Sequence, residues 1–304
     1  IGTHAMSLTI SRRSAVAGGL ATALAATLAA CGKSSDSASS SSTASAASGS
    51  SDGEVDGITV DGDVTTISVG ATPNPHVEML QWIQDNLAAD AGLKLDIVEI
   101  TDYQTPNSSL DDGSLAANFY QTPNFLKQQE EEKGYDFEAI ADVHIEPMGL
   151  YSSKYKSVDE IPDGGTIVLN NDPANTARGL KLLEQAGLIK LDESVEMPSD
   201  LDVTENSKNL TFTTVDGAQV ARTMEDADAA VINGNYALEA GLKPNEDALV
   251  LEKAEGSPYA NQLVVRAADK DNESLKKLAE LMNADAFRTW IEENWTDGSI
   301  LPAF

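Results

Sequence analysis

VTTISVGATPNPHVEMLQWIQDNLAADAGLKLDIVEI (64–100) contains the change of period that decides the fold. Val64 to Ala71 alternates and is rich in β-branched residues, and Pro73-Asn74-Pro75 then breaks the chain. From His76 to Ala91 the apolar residues Val77, Leu80, Ile83 and Leu87 fall on one helical stripe, after which Leu93 to Ile100 alternates again. Period two, then 3.6, then two is a β-α-β unit, whose crossover predicts parallel or nearly neighbouring strands. Downstream the pattern returns as strand Thr166 to Asn170, helix Pro173 to Ala186 with Gly187 as its stop, strand Leu210 to Val215, helix Ala218 to Met224 and strand Ala229 to Ile232. The fold class is therefore α/β. Two amphipathic helices, Glu273 to Met282 and Ala286 to Trp295, close the chain, with Trp290 and Trp295 read as packing residues. No fixed period repeats, which argues against solenoids and propellers.

Upstream of this domain, RRSAVAGGLATALAATLAAC (12–31) joins a basic start, an uncharged Ala/Leu run and small residues before the only cysteine. That is the pattern of an exported lipoprotein precursor, with residues 6–30 as signal peptide and Cys31 as the lipidated residue. The apolar run is shorter than the ~20 residues needed to span a bilayer. Ser11-Arg12-Arg13 leaves general and twin-arginine export both open. Ile1 to Ala5 read as an expression remnant ahead of Met6, so His4 carries no chemistry. Residues 31–63, largely Ser, Ala, Gly and Asp, have too little apolar content to fold and read as a tether with a reach of roughly 25–30 Å. Asp52-Gly53-Glu54-Val55-Asp56-Gly57 resembles the first half of a calcium loop, but Asp63 stands where a bidentate Glu is needed.

Composition narrows the chemistry. With 20 basic against 49 acidic residues the formal net charge is −29, so binding to nucleic acid would oppose the protein's own field. A lone, lipidated cysteine excludes disulfides, cysteine zinc sites and a thiol nucleophile. Only His76 and His144 remain as imidazoles, and no Gly-x-Ser-x-Gly elbow is present, which argues against a hydrolase.

Three stretches carry candidate chemistry. In Asn170-Asn171-Asp172-Pro173-Ala174-Asn175-Thr176-Ala177-Arg178, Asp172 or Asn171 can cap a helix that Pro173 opens, and the free N–H groups beyond a strand end favour an anion. Arg178 would add a bidentate fork for a carboxylate; a surface ion pair is the other reading. In Ala230 to Tyr236 an apolar strand runs into Asn233-Gly234-Asn235 and a helix, where ligands gather in α/β sheets, or where an Asn merely caps. In Val143 to Tyr151, His144 and Glu146 share a strand face, either as metal ligands or as hydrogen-bonding partners of neighbouring backbone at a lobe crossing.

The segments GATPNPHVEML (70–80), ITDYQTPN (100–107), DGSLAANFYQ (112–121), VHIEPMGLYSSKYKSVDEIPDG (143–164), LNNDPANTARGLKLLEQAGLIKL (169–191), AAVINGNYALEAGL (229–242) and SPYANQLVVR (257–266) resemble, in order, the NlpA-type methionine-binding lipoproteins. The resemblance runs from about residue 66 to the C-terminus. It implies a two-lobe type II periplasmic-binding-protein fold with two crossing strands as hinge, lobe 1 being 64–144 plus 258–304 and lobe 2 being 145–257. It also implies a monomer without cofactor or enzymatic activity, anchored through Cys31 to the outer face of the cell membrane, that delivers an amino acid to an ABC-transporter permease. Carried onto matching positions, Arg178 would grip the ligand carboxylate, and Asn233 or Asn235, with Asn175, would orient its polar groups. Tyr103, Phe119 and Tyr120 would wall the side-chain pocket, with His144 also at the ligand. Thioether sulfur packs well against aromatic rings, which suits L-methionine. Thr122 stands where the family carries histidine, keeping D-methionine, a Met-containing dipeptide or another apolar amino acid as alternatives. A metal-ion uptake receptor using His76, His144, Glu146 and an Asp would share the architecture, and a surface adhesin would lack a small-molecule pocket.

Overall fold

A computed structural model describes residues 54–304. The signal peptide, Cys31 and the Ser-rich run before Glu54 lie outside the described residues. In chain order the strands of the first part are β1 (Ile58–Asp61), β2 (Val64–Ala71), β3 (Leu93–Glu99), β4 (Ala117–Gln121) and β5 (Phe137–Ile145). The second part holds β6 (Gly149–Tyr151), β7 (Thr166–Asn170), β8 (Lys190–Leu191), β9 (Val203–Glu205), β10 (Thr211–Val215), β11 (Ala229–Ile232) and β12 (Val250–Leu251). The chain then returns to the first part as β13 (Ala260–Arg266) and β14 (Leu301–Pro302).

These strands form two principal sheets, one per lobe. In the first, β3 and β4 both pair parallel with β2, and β13 lies antiparallel between β4 and β5. The second has the order β10-β7-β11-β6-β12, parallel through its first three strands. The opening stretch is thus the parallel β-α-β unit expected of it, with Thr65 to Ala71 in register with Leu93 to Glu99. Its helix begins after a broken turn at Pro73–Val77: α1 (Glu78–Ile83) continues through a wider turn, Gln84–Ala88, and a tight one, Ala89–Ala91. Gly92, at φ +70°, ends it. The stretch given to the tether, residues 31–63, already contains structure. Ile58 to Asp61 form β1, a hairpin with β2 closed through Gly62 at φ +61°, because Ile58-Thr59-Val60 alternates and a glycine supplies the tight turn.

Helices cover the sheets as the apolar pattern requires. Met79, Leu80 and Ile83 of α1 pack with Ile67, Val69 and Ala71, joined by residues of the two C-terminal helices. Trp82 stacks on Trp290 at 5.2 Å, and Trp290 meets Trp295 edge-on at 5.2 Å, so both C-terminal tryptophans pack. In the second lobe Ile167 and Leu169 face one core while Val168 faces another. That two-sided burial is why β7 reads as an unbroken apolar run. The chain crosses between the sheets twice, through Glu146-Pro147-Met148 and through residues 252–259, and the crossings pair where Glu252 N donates to Met148 O at 2.9 Å. Among the described residues no helix is long and apolar enough to cross a membrane.

Candidate functional site

The site grows from the ends of β7 and β11. At the end of β7, Asp172 caps the helix Pro173–Gln185, its carboxylate accepting Asn175 N at 2.8 Å. Both Asp172 oxygens also accept from Asn175 Nδ2, at 3.1 and 2.9 Å. A helix cap therefore doubles as the clamp that fixes the Asn175 amide, whose oxygen accepts from Asn233 Nδ2 at 2.7 Å. Burial pushes the Asp172 carboxyl up to about 6, while the hydrogen bonds from Asn175 pull the other way.

At the end of β11, Asn233 precedes the helix Gly234–Glu239. Gly234 is required there by close approach, since a Cβ at that position would lie 2.6 Å from the Cβ of Glu146. Asn235 accepts from Tyr103 OH, while its buried Nδ2 has no hydrogen-bond partner among the described residues. An unpaired buried donor is costly, and this one stands in the wall of a cleft.

That cleft is narrow, about 330 Å³ of space between the atoms when its open mouth is counted. Tyr103, Tyr120 and Phe125 make an aromatic end, their rings 5.8 to 5.9 Å apart, and Tyr236 backs Tyr103 at 4.9 Å. Asn175, Arg178, Asn233, Asn235, Glu146 and Asn261 make a polar end, with Gln121 and Thr122 also in the lining.

Arg178 is a buried residue, which removes the surface ion-pair reading. Its Nε donates to Glu252 Oε1 at 2.9 Å and its Nη2 to Glu252 Oε2 at 2.6 Å and to the Glu146 carbonyl at 3.0 Å. The side-on fork expected to be offered to a ligand is thus filled from within the protein, because the second crossing brings Glu252 against it. Arg178 Cζ lies over the Tyr259 ring, 4.2 Å from its centroid.

Behind the polar end lies a buried trio. His144 Nε2 is 2.6 Å, and His76 Nε2 3.3 Å, from Glu146 Oε1. His76 also meets Thr72 Oγ1 through Nδ1 at 2.7 Å and Asn261 Oδ1 through Nε2 at 3.0 Å. Burial lowers His76 to about 4 and His144 to about 3, and raises the Glu146 carboxyl against the pull of His76 and Arg178. Ligand atoms of these three side chains lie within 4.8 Å of one another, yet among the described residues no Asp joins them, and the ring nitrogens facing the group already have protein partners.

Of the nine residues expected at the ligand, Tyr103, Tyr120, Thr122, Asn175, Arg178, Asn233 and Asn235 line the cleft. Phe119 and His144 do not. Phe119 neighbours Tyr120 on β4 and so points to the opposite face, into the first core, edge-on to His76 at 4.7 Å and to His144 at 5.3 Å. His144 sits behind Glu146 and contacts its carboxylate rather than neighbouring backbone. The sequence offered Glu146 as a metal ligand or as a hydrogen-bonding partner of neighbouring backbone at a lobe crossing, not as cleft lining, and did not single out Gln121, Phe125 or Asn261, which also line the cleft. Asn261, a polar residue at the start of the apolar run Ala260 to Val265, was the one legible signal among these.

A family model described as NlpA lipoprotein matches residues 67–304. The methionine-binding lipoprotein MetQ of Bacillus subtilis is 37% identical over 241 residues, covering 78% of this chain and 87% of that protein. A nutrient-binding protein from Burkholderia cenocepacia, solved bound to methionine, superposes with a TM-score of 0.75 at 38% identity, covering 78% of this chain and all of that one. An ABC-transporter periplasmic substrate-binding protein from Coxiella burnetii gives 0.74 at 37% identity over 78% and 100% of the two chains.

Proposed function

The chain belongs to the NlpA lipoprotein family, and on that premise we propose that it is an extracytoplasmic substrate-binding lipoprotein that captures methionine between its lobes and delivers it to the permease of an ABC importer. The observation that carries the ligand class is the two-ended cleft. An apolar side chain fits among Tyr103, Tyr120 and Phe125, where a thioether gains ~0.3–1.5 kcal/mol per aromatic contact. A zwitterionic head fits the other end. Its carboxylate meets the unpaired Asn235 Nδ2 and the Nη1 of Arg178, and its ammonium meets the Glu146 carboxylate. The relatives are named as methionine-binding and substrate-binding proteins, and the work proposed for this chain is binding and release.

Export and anchorage through Cys31 complete the reading: an acylated cysteine holds the domain at the outer face of the cell membrane, where a monomer meets its permease. Calorimetry with L-methionine, D-methionine, norleucine and Gly-Met tests the ligand. Micromolar or tighter binding of a methionine form is expected, with Arg178→Ala weakening it by two to four decades, corresponding to ~3–5 kcal/mol for a buried charge left unpaired. Absence of heat with all four ligands, or Arg178→Ala binding as the parent does, would sink the reading.

A further inference from the structure

We propose, resting on the reading of Arg178 as the ligand's carboxylate partner, that Glu252 is a positioning residue: a resident counter-ion that fixes the guanidinium so that the ligand is read only on its Nη1 end. A guanidinium has five N–H donors. Glu252 takes the Nε hydrogen and one on Nη2, and the Glu146 carbonyl takes the other on Nη2. The two on Nη1 have no partner among the described residues. Arg178 Cζ lies over the Tyr259 ring, 4.2 Å from its centroid, which leaves the guanidinium little freedom to turn.

Glu252 is not a loose side chain awaiting displacement. Its Oε2 accepts Met148 N at 2.8 Å while its own backbone N–H donates to Met148 O at 2.9 Å. The carboxylate is therefore built into the pairing of the two crossings, and Arg178, reaching from the second lobe, is held by both. This arrangement answers a physical need. Without a counter-ion, Arg178 would be buried and charged whenever the cleft is empty, and such a state is strongly disfavoured. The alternative, in which Glu252 imitates the ligand carboxylate and leaves when the ligand enters, would free the whole fork but break two contacts to Met148. The two arrangements predict opposite signs for the loss of this carboxylate.

The test compares L-methionine with L-methioninamide, which lacks the carboxylate, on the parent chain and on Glu252→Gln. Glutamine keeps the shape and an acceptor for Met148 N but not the charge. Methionine affinity is expected to fall about thirtyfold, the lower range for one partner of a buried charged pair, while methioninamide affinity stays within about threefold. Glu252→Asp, charged but one carbon shorter, should show the same contrast in smaller degree and serves if the glutamine variant does not fold. Methionine binding unchanged or tighter in the variants, or an equal loss of both ligands, overturns the assignment. Failure of the parent chain to bind methionine would instead strike the reading of the cleft beneath it.

Discussion

Thr122 lines the cleft at the junction of β4 and the helix Pro123–Lys133, where its hydroxyl donates to Asn124 Oδ1 at 2.7 Å instead of capping the helix. It sits in the cleft wall next to the aromatic end, while the polar end is built largely from other elements. Thr122→His should change the ligand ranking and leave the head-group contacts alone. A methylene or hydroxyl misplaced in such a pocket shifts discrimination by ~1–3 kcal/mol. In a calorimetric panel of L-methionine, D-methionine, norleucine and Gly-Met the order of affinities should differ between the two proteins. Parallel shifts for every ligand, or none, would show that residue 122 does not touch the side chain. The polar residues at the other end were legible for a related reason. Asp172, Asn175 and Arg178 sit at fixed offsets within one helix start, and local offsets survive folding.

At the scale of elements, the first lobe brings the turn before α1 and the strand β5 together so that His76 and His144 meet at 4.9 Å with Glu146 between them and the cleft. Burial holds both imidazoles neutral, at about 4 and about 3 in the fold against 6.5 unfolded. Between pH 6.5 and about 4 the unfolded chain then binds more protons than the native one, so stability rises with pH there. Their contribution is complete above pH 6.5 and is lost as the pH falls through the folded values. Asp172 acts in the opposite sense, its raised value making the native state bind the extra proton between about 3.8 and 6. The histidine share is isolated by comparison. Urea unfolding of the parent and of His144→Gln from pH 4.5 to 7.5 should give a stability difference that shrinks or reverses towards acid. A difference independent of pH would mean that His144 does not titrate in this way.

Taken whole, the described chain is two α/β lobes joined by two paired crossings, with the cleft where both lobes meet the first crossing at Glu146. The anchor proposed at Cys31 would act on the whole domain. Two acyl chains give stable attachment where one is marginal, each buried CH₂ adding ~0.8 kcal/mol. Cys31→Ser should accordingly move the protein, expressed with its leader, from membrane to soluble fractions; sedimentation with membranes after a salt wash would count against the lipid anchor. The sequence by itself determined the α/β class, the opening β-α-β unit, a capped helix opened by Pro173 and most of the cleft's polar wall. Periodicity and capping are local, and each is written in residues a few positions apart. Only the tertiary structure decided which side of the wall Phe119 and His144 occupy, since strand alternation sends adjacent residues to opposite faces and only packing shows which face is the cleft. It alone set Glu252 against Arg178 across 74 residues and closed the fork that the sequence left open for the ligand. A charged pair made between distant segments leaves no period or motif in either of them, and it exists only because the second crossing returns the chain beside the first.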